Sequence, residues 1–274
     1  MYYTPLRYPG GKTKFVPYIT SVLQDNNLVG CDYYEIYAGG AGVALSLLFS
    51  ELCRSILIND ADYSVYAFWK AVVEHNDDLV KLIEETPITM DVWYKQREIF
   101  QNIDGASLLE VAFSTFFLNR TNRSGILKGG VIGGKAQTGQ YTLDARFNKK
   151  DLIKRIVNIG KKADKILVKN QDALDLIKNI DAPDNDCFIY LDPPYYVKGQ
   201  GLYRNFYTHD DHVEIKNALS IASFPWLISY DDNHEIRKIY DRYRAETHIL
   251  NYSAQTKTKG NEIIIFSDNL IIPS

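Results

Sequence analysis

The sequence of 274 residues contains few cysteines, no long apolar run and no large excess of charge of one sign. The three cysteines, Cys31, Cys53 and Cys187, lie far apart and form no CxxC pair, which argues against a disulfide framework or a zinc site. No apolar run approaches the ~18 residues that a membrane-spanning helix needs. The first residues, MYYTPLRYPGGK, lack the apolar core of a secretory signal. Together these absences predict a cytoplasmic protein in a reducing compartment.

The net charge is −3, so the chain as a whole is not a basic nucleic-acid coat, although a local basic patch is compatible with this total. Apolar residues make up 46% of the chain, which is enough to form a hydrophobic core. The length suits one large α/β domain with a sizeable insertion, or two small domains.

Strand patterns alternate with helix patterns along most of the chain, which predicts a mostly parallel, doubly wound α/β sheet. The predicted strands cover residues 33–42 with a glycine turn at the end, 55–60, 165–172, 187–192 and 224–231. The predicted helices cover residues 43–52, 63–85, 87–118 with a break near Asp104 and Gly105, 151–164, 172–180, 209–222 and 234–243. The last two strands, AETHILNYS and NEIIIFSD, predict an antiparallel hairpin at the edge of the sheet. Prolines and glycines make residues 1–17 loop-like.

Glycine or acidic residues stand at the ends of several predicted strands, namely the turn 39–42 and Asp60, Asp172, Asp192 and Asp231. Ligands of open α/β sheets bind outside the carboxyl ends of the strands, so we expect this set to converge on one crevice. The turn AGGAG lets the backbone approach a ligand closely, although it is not the GxGxxG dinucleotide fingerprint. Asp60, about 20 residues after the turn, suits an acceptor for ribose hydroxyls. The alternative role of Asp60 is to cap the helix that follows it.

The segment FIYLDPPYYVKG, residues 188–199, places a carboxylate and aromatic rings on a rigid turn directly after a buried strand. Asp192 and nearby backbone carbonyls offer acceptors for an NH2 group, and Tyr195 offers a flat face for stacking. This combination suits a planar amine. The alternative is a simple strand end with a capping aspartate, which leaves the tyrosine unexplained.

Residues 119–150 lose regular periodicity and carry seven basic residues against one acid, Asp144. Contact with phosphates is the natural role of such a segment. We favour DNA binding over a solvated surface loop, because a loop of this length is usually functional or disordered.

Two further segments each allow two interpretations. GQGLYRNFYTH, residues 199–209, is aromatic and basic, and it is predicted either to fold over a target base or to be part of the core. HDDH, residues 209–212, suggests metal ligands, but Thr208 followed by Asp211 favours a helix N-cap with an acid in the first turn. No metal is predicted.

These motifs resemble those of the Dam-type (alpha-group) DNA adenine-N6 methyltransferases over nearly the whole chain. RYPGGK (7–12) resembles the N-terminal aromatic-x-GGK motif, EIYAGGAG (35–42) the cofactor-binding glycine motif, and LIND (57–60) the strand ending on the ribose-binding acid. LDPPYY (191–196) resembles the catalytic motif, and FLNRTNRSG (117–125) the asparagine–arginine segment of the target-recognition region. The order and spacing of these motifs argue against a chance match.

The resemblance implies a Rossmann-like S-adenosylmethionine-dependent methyltransferase sheet with an inserted, mostly helical target-recognition domain. Residues 1–62 and 151–274 would form the catalytic domain, and residues 63–150 the DNA-binding insertion. The implied reaction is direct methyl transfer from S-adenosyl-L-methionine to N6 of a flipped adenine in duplex DNA.

Each motif carries its residues over to this sequence. The residues expected to hold the flipped adenine are Asp192, Pro193, Pro194 and Tyr195. The residues expected to contact the cofactor are Tyr8, Lys12, Tyr37, Gly39, Gly42, Asp60, Asp172 and Asp192. The residues expected to bind DNA are Arg120, Asn122, Arg123, Lys128, Lys135 and Arg146. Tyr37 stands where phenylalanine is more usual, and AGGAG replaces the commoner GGGS-like turn.

The main alternative is a cytosine-N4 methyltransferase, although serine rather than aspartate is more usual there at the position of Asp192. A catalytically silent DNA-binding protein is disfavoured because every catalytic motif position is filled. The resemblance also implies double-stranded DNA as a partner, a cognate restriction endonuclease as a further one, and a monomer or weak dimer. It favours a bacterial or phage-encoded protein that acts at the nucleoid.

Overall fold

The structure is a computed structural model that describes residues 3–8, 10–180, 186–196, 207–253 and 257–273. The chain divides into two compact units. The helical unit consists of Met1–Gly11 and Tyr63–Val168, and the sheet unit of Lys12–Asp62 and Lys169–Ser274.

The described residues form a sheet of seven strands in the order β3-β2-β1-β4-β5-β7-β6. Its strands are β1 (Asp32–Glu35), β2 (Ser55–Asn59), β3 (Ile166–Lys169), β4 (Cys187–Leu191), β5 (Trp226–Asp231), β6 (Ala245–Ser253) and β7 (Lys257–Phe266). Strand β1 runs parallel to β2 and β4, and β4 runs parallel to β5. Strand β7 is antiparallel to β5 and β6, so the predicted parallel sheet with an antiparallel edge hairpin is confirmed.

The central strands are apolar because they are buried on both faces. Every residue of β4 is buried, as is usual where helices cover both sides of a parallel sheet. Among its described residues, the sheet unit contains the α-helices α1 (Val16–Asp25), α2 (Gly42–Phe49), α8 (Ala173–Lys178), α9 (His209–Ser220) and α10 (His234–Ile239).

Helix α1 corrects the prediction that residues 1–17 are loop-like throughout. Pro17 suggested a break, but it occupies the first turn of α1. A proline is tolerated there because the N–H groups of the first turn have no partner within the helix.

The path of the chain locates the crevice of the sheet. From β1 the chain continues to β2 on one side, and β4 lies on the other side of β1. This reversal of strand order opens a crevice outside the carboxyl ends of β1 and β4, where ligands of open α/β sheets bind. The glycine turn (39–42) follows β1, and the turn formed by Asp192, Pro193, Pro194 and Tyr195, called the DPPY turn, follows β4.

The helical unit contains α3 (Tyr63–Glu74), α4 (Asn76–Glu85), α5 (Met90–Gln101), α6 (Leu108–Thr121) and α7 (Lys149–Gly160). Helix α6 is apolar on nearly all sides because it is the centre of this unit, packed by α3, α4 and α5. The single helix predicted for residues 63–85 is instead two helices, which are separated at His75. None of the described helices is long and apolar enough to cross a membrane.

The boundaries of the two units differ from the predicted domain limits at residues 1–11 and 151–168, which belong to the helical unit. For α7 the reason is its apolar face, where Leu152, Ile156 and Ile159 are buried. This helix packs on α3 and α4. The predicted role of residues 63–150 as a target-recognition insertion stays a prediction.

Candidate active site

The DPPY turn is held in place by strand β5. Asp231 at the end of β5 accepts a hydrogen bond from the Tyr196 backbone N–H at 3.0 Å. Ser229, which is fully buried in β5, donates to Asp192 Oδ1 at 3.0 Å. The Ser229 hydroxyl also lies 2.8 Å from the hydroxyl of Tyr190 in β4. The Asp192 carboxylate therefore has a fixed orientation.

Lys12 supplies a buried positive charge next to this carboxylate. Its ammonium lies 2.7 Å from Asp192 Oδ1 and 3.0 Å from Glu262 Oε1, and only 4% of the lysine side chain is exposed. Burial disfavours the charged ammonium, but attraction by Asp192 and Glu262 outweighs it and raises the pKa of Lys12 above its usual value. The two acids therefore favour the charged form of Lys12.

Tyr195 is anchored at both ends of its side chain. Its hydroxyl donates to Glu262 Oε1 at 2.7 Å, and its backbone belongs to the DPPY turn. Lys12 Nζ lies 5.3 Å from the centre of the Tyr195 ring. Burial raises the pKa of Glu262, and the nearby charge of Lys12 opposes that rise. The ring is thus held in one orientation before any ligand arrives.

The second oxygen of Asp192 remains available. Both Lys12 and Ser229 bind Oδ1. Within the described part of the chain, Oδ2 has no hydrogen-bond partner, and 20% of the Asp192 side chain is exposed. Pro193 next to it is buried, and Pro194 is half-buried. Oδ1 is therefore held by two donors, and Oδ2 is held by none of the described residues.

The glycine turn and Asp60 form a second arrangement at the carboxyl ends of the strands. Asp60 Oδ2 accepts from the Gly39 N–H, and Oδ1 accepts from the Asp62 N–H, each at 2.9 Å. Gly39 and Ala41 both have positive φ angles, which bends the chain sharply before α2. Burial raises the pKa of Asp60 to about 7, against the lowering effect of the two N–H groups.

Gly42, the first residue of α2, is required by its packing. A Cβ atom there would lie 2.5 Å from Thr13 Oγ1. Nearby, the buried Glu35 accepts from the Ala44 N–H at 2.8 Å and satisfies one donor at the start of α2. Burial raises the pKa of Glu35 to about 8.

Tyr37 contacts Tyr207, and the segment that leads to Asp172 contacts Asp60. The hydroxyls of Tyr37 and Tyr207 are 2.9 Å apart. Burial raises the pKa of Tyr207 to about 12, and the negative charges of Asp172 and Asp60 add to this effect. Asp172 also caps α8, where its Oδ1 accepts from the Leu174 N–H at 2.8 Å. Two residues before Asp172, Asn170 Nδ2 donates to the Asp60 carbonyl at 2.7 Å, so the ends of β2 and β3 lie side by side.

Two predictions fall partly or wholly outside this arrangement. Tyr8 belongs to the helical unit, where its carbonyl accepts from the Gly11 N–H at 3.1 Å, and its cofactor contact stays a prediction. Of the segment predicted to fold over the target base, residues 199–206 lie outside the described residues. The N-cap that was predicted at Thr208 is confirmed, because Thr208 and Asp211 form a capping box at the start of α9.

Three residues at this site were not predicted as site residues: Glu262, Ser229 and Glu35. Glu262 is 1% exposed although it carries a charge. The only signal in the sequence is an acid beside an apolar run, in NEIIIF, because a charge inside a buried strand needs a partner. Ser229 and Glu35 give no comparable signal.

In the basic segment, residues 119–150, some cations are exposed and others are engaged in contacts within the helical unit. Arg123, Lys128, Lys135 and Arg146 are exposed, as a DNA-binding role requires. Arg120 is half-buried and donates to the carbonyls of Arg146 at 2.8 Å and Pro5 at 3.3 Å. Burial, with nearby positive charges, lowers the pKa of Arg120 to about 10.

Asn122 corrects a predicted DNA contact. Its side chain is fully buried, and its Oδ1 accepts from Trp93 Nε1 at 2.7 Å. Its amide nitrogen donates to the carbonyls of Ile126 and Leu127. Because every polar atom of this side chain already has a partner, Asn122 shapes the loop and does not face DNA.

The profile of the D12 class N6 adenine-specific DNA methyltransferase family matches residues 8–258, which is nearly the whole chain. The chain belongs to this family. It is therefore a DNA methyltransferase, and its reaction is the methylation of adenine at N6. DNA is its substrate, and the reaction requires a methyl donor.

No curated protein sequence matches the chain. Among solved structures, it is similar to a Pyrococcus horikoshii protein whose assignment as an RNA methyltransferase is itself provisional. The alignment covers 96% of this chain and 86% of that one, with 10% identity and a TM-score of 0.43. A similarity of this degree carries no argument about substrate.

Proposed function

We propose that the methyl donor is S-adenosyl-L-methionine and that the acceptor is an adenine flipped out of duplex DNA into the DPPY turn. The observation that carries this proposal is the arrangement around Asp192. One of its oxygens is bound by Lys12 and Ser229, the other has no partner among the described residues, and the Tyr195 hydroxyl is bound by Glu262.

The crevice suits the proposed donor. Asp60 is half-buried and oriented by two backbone N–H groups, which leaves acceptor capacity for ribose hydroxyls. Gly39, which has a positive φ, keeps the β1–α2 turn free of side-chain bulk, and Tyr37 and Asp172 are proposed to contact the same donor. When bound, S-adenosyl-L-methionine supplies an electrophilic methyl group on a sulfonium sulfur.

The DPPY turn suits an adenine. Flipping costs a few kcal/mol because the base leaves its stack and its pair. Stacking on Tyr195, worth roughly 1–3 kcal/mol per base, offsets much of that cost. We assign the two N6 hydrogens to Asp192 Oδ2 and the Pro193 carbonyl, which hold the amine with its lone pair free.

Lys12 and Ser229 both donate to Asp192 Oδ1, so this oxygen is already engaged before a base arrives. Asp192 therefore acts as a hydrogen-bond acceptor that orients the amine. The methyl group would pass from the sulfonium sulfur to N6, and the N6 proton would then pass to water. Lys12, carried over as a cofactor contact, is here proposed as the partner of Asp192.

The exposed cations Arg123, Lys128, Lys135 and Arg146 are proposed to contact DNA phosphates. Neutralising phosphates releases counterions, so binding should weaken steeply with salt. A cognate restriction endonuclease and a monomeric or weakly dimeric state stay predictions.

The test uses purified protein, S-adenosyl-L-methionine labelled on the methyl group, and mixed-sequence duplex DNA, followed by separation of the nucleosides. Label in N6-methyladenine is expected for the wild type, with at least a hundredfold lower rate for Asp192→Asn. Label in N4-methylcytosine would overturn the base assignment. Cofactor binding without any transfer to DNA would overturn the proposed reaction.

A further inference from the structure

The helical unit contains a pocket that the proposed reaction does not use. It has a volume of about 400 Å³. The lining residues are Trp93, Tyr94, Arg97, Arg123, Gly130, Val131, Gly134 and Lys135. Three of them are cations, two are aromatic and none is acidic. The size is within the range of small-molecule sites, and the charge suits an anion that carries a ring.

The wall of the pocket is rigid. Trp93 is buried and is fixed by its hydrogen bond to Asn122. Arg97 lies over the Trp93 ring, with its guanidinium carbon 5.1 Å from the ring centre, and donates to the Gly129 carbonyl at 3.0 Å. A held guanidinium loses little conformational entropy when it binds an anion. The buried Asn122 is what positions this wall.

The other two cations are free to bind a ligand. Arg123 and Lys135 are exposed, and their side chains form no hydrogen bond or ion pair with the described residues. Such a cation can contact a phosphate without first breaking an ion pair. Together with Arg97 they form a cluster of three positive charges around one pocket.

Of the two aromatic residues that line the pocket, Tyr94 is exposed. Tyr94 is 46% exposed, which is unusual for a tyrosine on a packed helix, and its ring lies edge-on to Trp93 at 5.1 Å. The exposed ring offers a surface for base stacking, which every base can use. Gly130 and Gly134 add no side-chain bulk to the lining, and a Cβ atom at either would meet nothing within 4 Å.

We propose that this pocket binds a nucleotide other than the methylated adenine, with its base on Tyr94 and its phosphate on Arg97, Arg123 and Lys135. The inference rests on the proposed function in that DNA supplies the nucleotide. Helix α5 would then contribute to DNA binding, although the predicted DNA-binding residues all lie after it in the chain. A free mononucleotide would offer the same base and phosphate to the pocket, and a competition experiment distinguishes it from DNA.

The experiment measures binding of a duplex that contains the methylated site, by fluorescence anisotropy at several salt concentrations. Tyr94→Ala should weaken binding roughly tenfold or more, while Tyr94→Phe, which keeps the ring, should not. Gly130→Leu should weaken binding similarly by filling the pocket, although it removes no charge. Lys95→Ala, which removes an exposed cation of the same helix outside the pocket, is the matched control and should have little effect.

Two further arms identify the ligand. The first arm uses a series of duplexes that each lack one base. At one position outside the target, removal of the base should weaken binding by the wild type. Removal of the same base should not weaken binding by Tyr94→Ala, because that variant has already lost the stacking contact. Excess deoxyadenosine monophosphate should compete only weakly with DNA. Strong competition, together with duplexes that show no such position, would overturn the assignment to DNA.

The outcomes separate this inference from the proposed function. If the wild type methylates adenine and both Tyr94→Ala and Gly130→Leu bind DNA like the wild type, the pocket assignment is wrong and the reaction stands. If the wild type transfers no methyl group to DNA, the proposed function itself fails. Circular dichroism of each variant shows whether the helices are intact.

Discussion

Lys12 Nζ and Asp192 Oδ1 lie 2.7 Å apart, at a place where 4% of the lysine side chain is exposed. The same ammonium is paired with Glu262, of which 2% of the side chain is exposed. One cation thus compensates two acids in the interior of the sheet unit. Stability and catalysis should both depend on it.

We expect Lys12→Met to lower the free energy of unfolding by about 3–5 kcal/mol, because it leaves buried carboxylates without their cation. Urea denaturation of the variant measures this. In the double variant Lys12→Met/Glu262→Gln one of the two acids is gone, so part of the loss should be recovered. Equal stability of the single and double variants would show that Glu262 is not held by Lys12.

Glu35 should make stability decrease as pH rises. Its pKa is raised by burial to about 8, above the usual value of 4.5, so the folded chain keeps a proton that the unfolded chain releases. The unfolded state binds fewer protons between these values, and stability therefore falls as pH increases through this window. Glu35→Gln should reduce that decrease, by on the order of 1.4 kcal/mol for each pKa unit removed. Unfolding of both proteins at pH 5 and pH 8 gives the comparison, and identical slopes would contradict it.

Arg120 and Arg123 should behave differently although they are three residues apart. Arg120→Ala removes donors from two backbone carbonyls and should cost about 1–3 kcal/mol of stability. Arg123→Ala should leave stability unchanged, weaken DNA binding and lower the salt slope by about 1. Thermal unfolding and salt-dependent anisotropy separate the two. A normal melting temperature for Arg120→Ala would show that its backbone contacts do not matter.

Gly42→Ala should destabilise the sheet unit, since the new Cβ would lie 2.5 Å from Thr13 Oγ1. Overpacking of this kind costs typically about 1–3 kcal/mol. Thr13→Ala removes the atom in conflict, so the double variant should be more stable than Gly42→Ala alone. If the double variant is no more stable than Gly42→Ala, the clash with Thr13 is not the cause of the destabilisation.

Local patterns predicted the parts of the site that are local in sequence. The DPPY turn and the acid at the end of β2 follow directly from apolar runs and the residues that stop them. Glu262 and Ser229 reach Asp192 and its neighbours only through the pairing of β4, β5 and β7, which periodicity cannot supply. Their partners are therefore visible only in the folded sheet.

The same limit applies to the basic segment. Sequence counts its cations but does not show which are buried. Arg120 and Asn122 are used inside the helical unit because the loop folds back on α6 and on the N-terminal residues. Arg123, which directly follows Asn122, stays exposed.

The three cysteines give the sheet unit an intrinsic chemical reporter. All three are buried in its interior, and burial raises the pKa of the Cys31 and Cys187 thiols to about 12, which suppresses the reactive thiolate. The helical unit has no cysteine. The rate at which an alkylating reagent labels the unmodified chain therefore measures the opening of the sheet unit alone, and a methyl donor that binds there should slow it.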